Sequence, residues 1–313
     1  MGLNTVKLKW SERRYLNPRR SPWQGDALPT ELRSHPKFAN RSKATGFGKR
    51  VLKFLFIGWI QGRGWCFIGG VSNAYYVPGR QRAAKVNDLF AGIARRYDLI
   101  NDLQSFGLHR SWKRRVTDLA QVHAGDQALD LCCGTGDISF ALAKRGAEVT
   151  GLDFSPQMLD IAAQRNGPAK TTLPGKEPKF IEGDAQQLPF PENSFDIVTI
   201  GYGLRNLTSW ERGVDEMYRV AKPGARLVVL DFGKPANALW RSLYFLHLRL
   251  SVPLIGLLFC GNASAYAYIL ESLKHYPAQL AVAEKMRKLK LNNVRVVNLL
   301  GGAMAINFGE KPQ

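Results

Sequence analysis

The segment Asp130-Leu131-Cys132-Cys133-Gly134-Thr135-Gly136-Asp137 constrains the fold more than any other part of the chain. It closes the short apolar run Ala128–Cys132 and opens a helical pattern from Ile138 to Lys144. A short apolar run ended by a glycine turn and followed by a helix reads as a buried strand entering a crossover. The pattern then recurs. Glu148–Leu152 reads as a second strand, and Ser155-Pro156 as a helix start with serine at the cap and proline in the first turn. Lys179–Glu182, Phe195–Ile200 and Arg226–Phe232 read as further strands, the last preceded by the turn Lys222-Pro223-Gly224. Val294–Asn298 and Ala303–Phe308, around Gly301-Gly302, read as a hairpin. Strands alternating with helices specify an α/β fold: a doubly wound, mostly parallel sheet, here with a C-terminal antiparallel hairpin. Upstream, Val86, Leu89, Phe90, Ile93 and Ala94 follow helical spacing, and Tyr97, Ile100 and Leu103 continue it past a break expected near Asp98.

A net charge of +19 would point to nucleic acid if it were spread evenly. It is not. Residues 1–84 hold 16 Lys and Arg against three acids (Glu12, Asp26, Glu31), while residues 85–313 hold 28 against 22. The excess belongs to a basic extension, 1–84, ahead of a nearly balanced domain, 85–313. No nucleic-acid partner is expected, because such a partner needs a basic, aromatic-bearing face on the domain itself. Residues 1–50 bury too little apolar surface to hold a fixed structure. Val51–Ile60 and Trp65–Val71 are apolar but fall short of the ~20 residues that span a bilayer. A basic stretch beside short apolar runs suits peripheral contact with an anionic membrane. A start assigned too far upstream and a cleaved organellar presequence are the other readings, the latter disfavoured by how little serine the segment has. The four cysteines form no C-x-x-C pair, which argues against a metal site or disulfides and for a reducing, cytoplasmic setting, with any membrane contact at the inner face.

The glycine turn places backbone N–H groups at a helix start, where a ligand can approach closely. A dinucleotide fingerprint wants a third glycine where this chain has Ser139, which counts against a nicotinamide. Asp153 ends the second strand and suits both hydroxyls of a ribose; Asp184-Ala185 ends the third, where a carboxylate can receive an adenine amino group. Singly, Asp153 is a helix cap and Asp184 a turn residue. Together, the three strand ends describe an adenosine site without a pyrophosphate cradle, which fits S-adenosyl-L-methionine better than NAD.

These strings resemble the class I S-adenosylmethionine-dependent methyltransferases. Three more narrow the resemblance: Tyr97–Leu103 (YDLINDL), Ser105–Arg114 (SFGLHRSWKR) and Gly203-Leu204-Arg205-Asn206. They resemble the quinone-biosynthesis C-methyltransferases, and the likeness runs from Val86 to Lys311. It implies a seven-stranded sheet, S-adenosyl-L-methionine as cofactor and a prenylated quinol as partner. The implied reaction is methylation of the demethylmenaquinol ring, or of a ubiquinol precursor or another prenylated quinol. The cofactor residues are then Asp130, Gly134, Thr135, Gly136, Asp153, Asp184 and Ala185. Gly201 stands where the family often has serine, so one side-chain hydrogen bond is missing.

Methylating an aromatic carbon is eased by deprotonating a quinol hydroxyl, and a carboxylate near the methyl donor can serve as base. The resemblance implies that role for Asp137, with Arg205 and Asn206 assisting; a guanidinium can stabilise a developing phenolate. The plainer readings are a helix-start carboxylate for Asp137 and a capped turn for Arg205-Asn206. His109 reads as structural, and Cys132 and Cys133 as small buried residues. Trp240–Ile269 is apolar but interrupted, and reads either as a lid and groove for a polyprenyl tail or as ordinary helix packing. A protein of another class, a basic membrane or nucleic-acid tether on an incidental fold, is the rival reading. No oligomeric state is implied.

Overall fold

The computed structural model describes residues 86–313 except positions 89, 93, 166–176, 261–269 and 274, and side chains at all of these but Arg95 and 252–260. The readings of residues 1–84 fall outside the described residues. Seven strands form one sheet in the order β3-β2-β1-β4-β5-β7-β6. They are β1 (Gln127–Leu131), β2 (Glu148–Asp153), β3 (Lys179–Glu182), β4 (Phe195–Gly201), β5 (Ala221–Phe232), β6 (Asn292–Leu299) and β7 (Met304–Glu310). The first five pair in parallel, and β7 pairs antiparallel with both β5 and β6. This is the doubly wound sheet with a terminal hairpin that the sequence pattern specifies.

The central strands are buried on both sides, so neighbouring residues feed opposite cores. Leu129, Val198 and Val229 pack in a core with Val214 and Met217 of α5 (Trp210–Val220) and Val282 and Met286 of α7 (Ala278–Lys288). Ala128, Ile197 and Val228 face the other side, against Ile138 and Leu142 of α3 (Asp137–Lys144) and Val116 of α2 (Leu108–Leu119). α4 (Pro156–Arg165) links β2 to the loop before β3, and α1 (Tyr97–Ser105) precedes α2. α6 (Ala238–Cys260) lies between β5 and α7 in the chain and packs against α1.

Two local expectations are corrected. The break expected near Asp98 falls earlier, in a 3-10 turn at Ala94–Arg96, and Tyr97 already begins α1. The turn Lys222-Pro223-Gly224 lies within β5 as a register shift against β4, because Gly224 N–H reaches across to Lys311 O (2.9 Å) and ties the irregularity to the chain end. The strand order reverses between β1 and β4, and ligands in such sheets bind at that point, beyond the carboxyl ends of the strands.

Candidate active site

Two cavities open there. The smaller, about 110 Å³, lies along the carboxyl ends of β3, β2, β1 and β4; its walls include Gly134, Asp153, Asp184, Ala185, Gly201 and Asn206. The larger, about 460 Å³, is lined mainly by apolar side chains of α1, α2 and α6, with Arg205 and Phe232 from the sheet side. Phe90, Tyr97 and Tyr202 belong to both walls.

In the smaller cavity, Asp153 accepts N–H bonds from Gly134 (2.8 Å) and Ser155 (2.9 Å), so β2 and the glycine turn are fastened through one carboxylate. Burial raises its pKa, and those backbone donors oppose the rise. Gly134 has φ of 55°, and a Cβ there would meet nothing within 4 Å. Its backbone therefore faces open space that a side chain would partly fill. Asp184 is exposed and takes the Gln186 N–H (2.8 Å) in a tight turn. Among the described residues no Lys, Arg or His lines this cavity. At Gly201 a Cβ would stand 2.6 Å from Ile138 Cδ1, so the serine of the family pattern has no room unless Ile138 turns away.

Three residues expected at the cofactor sit behind the wall instead. Asp130 is buried, accepts hydroxyl bonds from Ser139 (2.6 Å) and Thr199 (2.8 Å), and is pushed up to a pKa of about 6 by burial. It ties β1 to β4 and α3. Thr135 Oγ1 donates to Asp98 (2.9 Å). Gly136 has φ of 87°, and a Cβ there would come within 2.9 Å of Phe140 and Phe180, so only glycine fits this turn.

Asp137, the expected base, lies on neither wall. Its carboxylate meets Lys113 Nζ at 2.6 Å and Arg165 Nη2 at 2.7 Å. Burial pushes its pKa up, but the Lys113 ammonium and the Arg165 guanidinium outweigh that and hold it at about 2. Such a carboxylate is a weak proton acceptor.

Arg205 is buried in the 3-10 turn Leu204–Asn206, on the wall of the larger cavity. Its Nη1 donates to Asp231 Oδ1 (3.0 Å) and Tyr202 O (2.5 Å), and its own backbone N–H donates to Asp231 Oδ2 (3.0 Å). The guanidinium lies 4.5 Å from the Phe232 ring centroid. Asn206 donates to Tyr202 O (3.2 Å) and faces the smaller cavity, so the two neighbours serve different cavities. The sequence reading missed Asp231, although an acid ending the apolar run of β5 was a visible signal. It also missed Tyr202, whose φ of 61° is rare for a non-glycine residue and whose buried hydroxyl has no hydrogen-bond partner among the described residues. His109, expected to be structural, is buried with Nε2 2.8 Å from Asp102, and it also lines the larger cavity. Burial raises the pKa of Cys132 and Cys133, which keeps both as unreactive thiols.

Comparison with known proteins narrows the family. Demethylmenaquinone methyltransferase of Thermus thermophilus is 42% identical over 226 residues, covering 72% of this chain and all of that protein. The enzyme of the same name from Desulfitobacterium hafniense is 40% identical over 240 residues, covering 75% of this chain and 93% of its own. Ubiquinone/menaquinone biosynthesis C-methyltransferase UbiE of Azotobacter vinelandii is 38% identical, with the same coverage as the Desulfitobacterium enzyme. Among solved structures, a SAM-dependent methyltransferase from Thermotoga maritima shares the fold at a TM-score of 0.50 and 18% identity, over 72% of this chain and 99% of that one. The model of the ubiE/COQ5 methyltransferase family matches residues 79–311, and the chain belongs to that family.

Proposed function

We propose that this protein transfers a methyl group from S-adenosyl-L-methionine to a ring carbon of a prenylated quinol, with demethylmenaquinol as acceptor and menaquinol as product; the sulfonium C–S bond breaks to leave S-adenosylhomocysteine, and the ring proton replaced by the methyl group is lost to water. One observation carries the reading: a polar crevice at the strand ends and a large apolar cavity share the wall Phe90, Tyr97 and Tyr202. Donor and acceptor held on either side of one wall are aligned for direct transfer. The relatives named for demethylmenaquinone support the acceptor, and the Azotobacter name keeps a ubiquinol precursor as the second reading.

The crevice fits the donor. Two carboxylates and no cationic side chain among the described wall residues suit a positively charged ligand, and Gly134 leaves room beside its backbone. Asp153 would accept the ribose hydroxyls, with Asp184 and Ala185 beside the adenine. When bound, S-adenosyl-L-methionine supplies an electrophilic methyl group on a sulfonium. Asp130, Thr135 and Gly136 shape the turn from behind, and Gly201 lets the wall close on Ile138.

The larger cavity has the size of a small-ligand site and takes the quinol ring with the first part of its tail. Arg205 is the proposed catalytic residue on this side. Its charge, pinned by Asp231 and stacked on Phe232, favours an anionic quinol oxygen over the neutral hydroxyl. Asn206 orients groups on the donor side. Asp137 takes a different role from the base the resemblance implied: it anchors Lys113 and Arg165, and through them α2 and α4, at the start of α3. Among the described residues no helix is long and apolar enough to cross a membrane. The quinones of cells lacking this protein test the reading. Demethylmenaquinone should accumulate and disappear on complementation. A ubiquinone intermediate would transfer the assignment to the second reading, and an unchanged quinone pool would refute both.

A further inference from the structure

Most of the large hydrophobic side chains that stand exposed among the described residues lie on α6, on α1 or at the elbow between α1 and α2; Phe154, Leu280 and Leu300 are the others. On α6, Leu239, Leu243, Leu246 and Leu250 recur every three or four residues, so they share one helix face, and they are 71%, 50%, 52% and 67% exposed. On α1, Leu99 and Leu103 stand four residues apart and are also exposed. Phe106, at the elbow between α1 and α2, is 82% exposed and has φ of 50°, a left-handed conformation that turns the chain here. α1 packs against α6, and Phe106 shares the wall of the larger cavity with Trp240 and Leu243 of α6. A patch of this kind on a water-soluble surface marks an interaction site.

From this arrangement we infer that the outer face of α6 and the α1–α2 elbow dock on a lipid bilayer, with the mouth of the acceptor cavity facing the acyl chains. Phe106, Trp240, Leu243 and Leu300 are exposed and also line that cavity, so the patch surrounds its opening. Charge selects a bilayer as the occupant. Residues 238–260 contain no Asp or Glu, and Arg241 and Arg249 are exposed on α6, a pattern that sets leucines among acyl chains and guanidinium groups at anionic headgroups. The contact is interfacial, since no described helix crosses a membrane. A prenyl tail would then pass from bilayer to cavity without entering water. That entry route rests on the quinol reading; the docking itself does not.

Flotation of the full chain with vesicles of mixed phosphatidylglycerol and phosphatidylcholine tests the docking without any methyl transfer. The double change Leu246→Glu with Leu250→Glu should reduce vesicle binding about tenfold or more, since two leucine side chains then stay in water. Phe106→Ser, on a separate element, should weaken binding in the same direction. Leu280→Glu, on an exposed leucine away from the patch, should leave it unchanged. Melting temperature and S-adenosyl-L-methionine affinity should be those of the parent in all three. Parental vesicle binding by both patch variants overturns the inference. So does binding that is lost only when residues 1–84 are removed, which would place the contact there. A lipid-free dimer that dissociates in the patch variants would assign the face to a second copy of the chain, and also overturns it. Failure of the quinol assay with vesicle docking intact would refute the acceptor alone.

Discussion

Replacing Asp231 by Asn strips one charge from a buried pair and leaves the other in place. Arg205 is 6% exposed and Asp231 3%, so water cannot substitute for the missing partner. The carboxylate accepts from Arg205 N–H (3.0 Å), Arg205 Nη1 (3.0 Å) and Phe232 N–H (2.8 Å), and an amide keeps one acceptor oxygen while turning an NH₂ group toward those donors. Removing one member of a buried ion pair costs about 3–5 kcal/mol. Arg205 retains Tyr202 O as an acceptor and Asn retains one oxygen, which places the loss at the lower end, about 3 kcal/mol. For a domain of this size each kcal/mol shifts Tm by roughly 2–4 °C, so calorimetry should show a fall of about 6–12 °C. Turnover should fall as well, because the guanidinium is held less firmly on the cavity wall, while S-adenosyl-L-methionine affinity stays unchanged. Replacing both residues, Arg205→Met with Asp231→Leu, should recover most of the stability and none of the turnover, since a buried pair exchanged for apolar groups is often neutral. A single variant with parental Tm and parental turnover would refute the reasoning.

Three further outcomes are expected. Asp153→Ala should weaken S-adenosyl-L-methionine binding by about 1.5–3 kcal/mol in calorimetric titration, the loss of charge-assisted hydrogen bonds; parental affinity in a folded variant removes Asp153 from the ribose role. Asp137→Asn should cost about 2 kcal/mol of stability at neutral pH. The folded pKa of about 2 lies below the ordinary carboxylate value, so this contribution is complete above about pH 4 and lost as pH falls toward 2, and the variant's deficit in urea unfolding should shrink over that window. A turnover loss of order 10²–10⁴ in that variant, with stability unaffected, would instead make Asp137 the base. Removing residues 1–84 should leave a folded protein with parental S-adenosyl-L-methionine affinity, because the residues assigned to the donor crevice, from Gly134 to Asn206, lie well beyond the cut; failure to fold would count against a domain boundary at 85.

The strands were legible because each is a short apolar run ended by a turn: Lys179–Glu182 is matched to the residue, and β1, β2 and β4 within one. That Gly134, Asp153, Asp184, Ala185 and Gly201 line one crevice was legible because residues that follow strand ends must meet along one edge of a parallel sheet. What one sequence pattern cannot show is which side of a turn each residue faces. Asp130 and Asp137 flank the same glycine turn as Gly134, yet Asp130 points into the sheet toward Ser139 and Thr199, and Asp137 toward Lys113 and Arg165. Both are fixed by partners 9 to 69 residues away in the chain, a distance over which spacing carries no information. Asp231 escaped notice for the same reason: its partner Arg205 comes from a different strand end. The Leu face of α6 was readable as helical apolar spacing, but exposure and burial give the same pattern, and only the packed structure shows that these leucines are exposed.

The central claim is that a methyl group passes from the polar crevice to a ring held in the apolar cavity across one shared wall. Incubating the purified protein with S-adenosyl-L-methionine carrying a labelled methyl group and demethylmenaquinol, and following the label by mass spectrometry, tests it most directly. The expected result is menaquinol labelled on a ring carbon, formed by the parent protein, greatly reduced in Arg205→Met and reduced in Asp153→Ala. Label on a quinol oxygen, or no labelled quinol from a protein that binds both ligands, would contradict it.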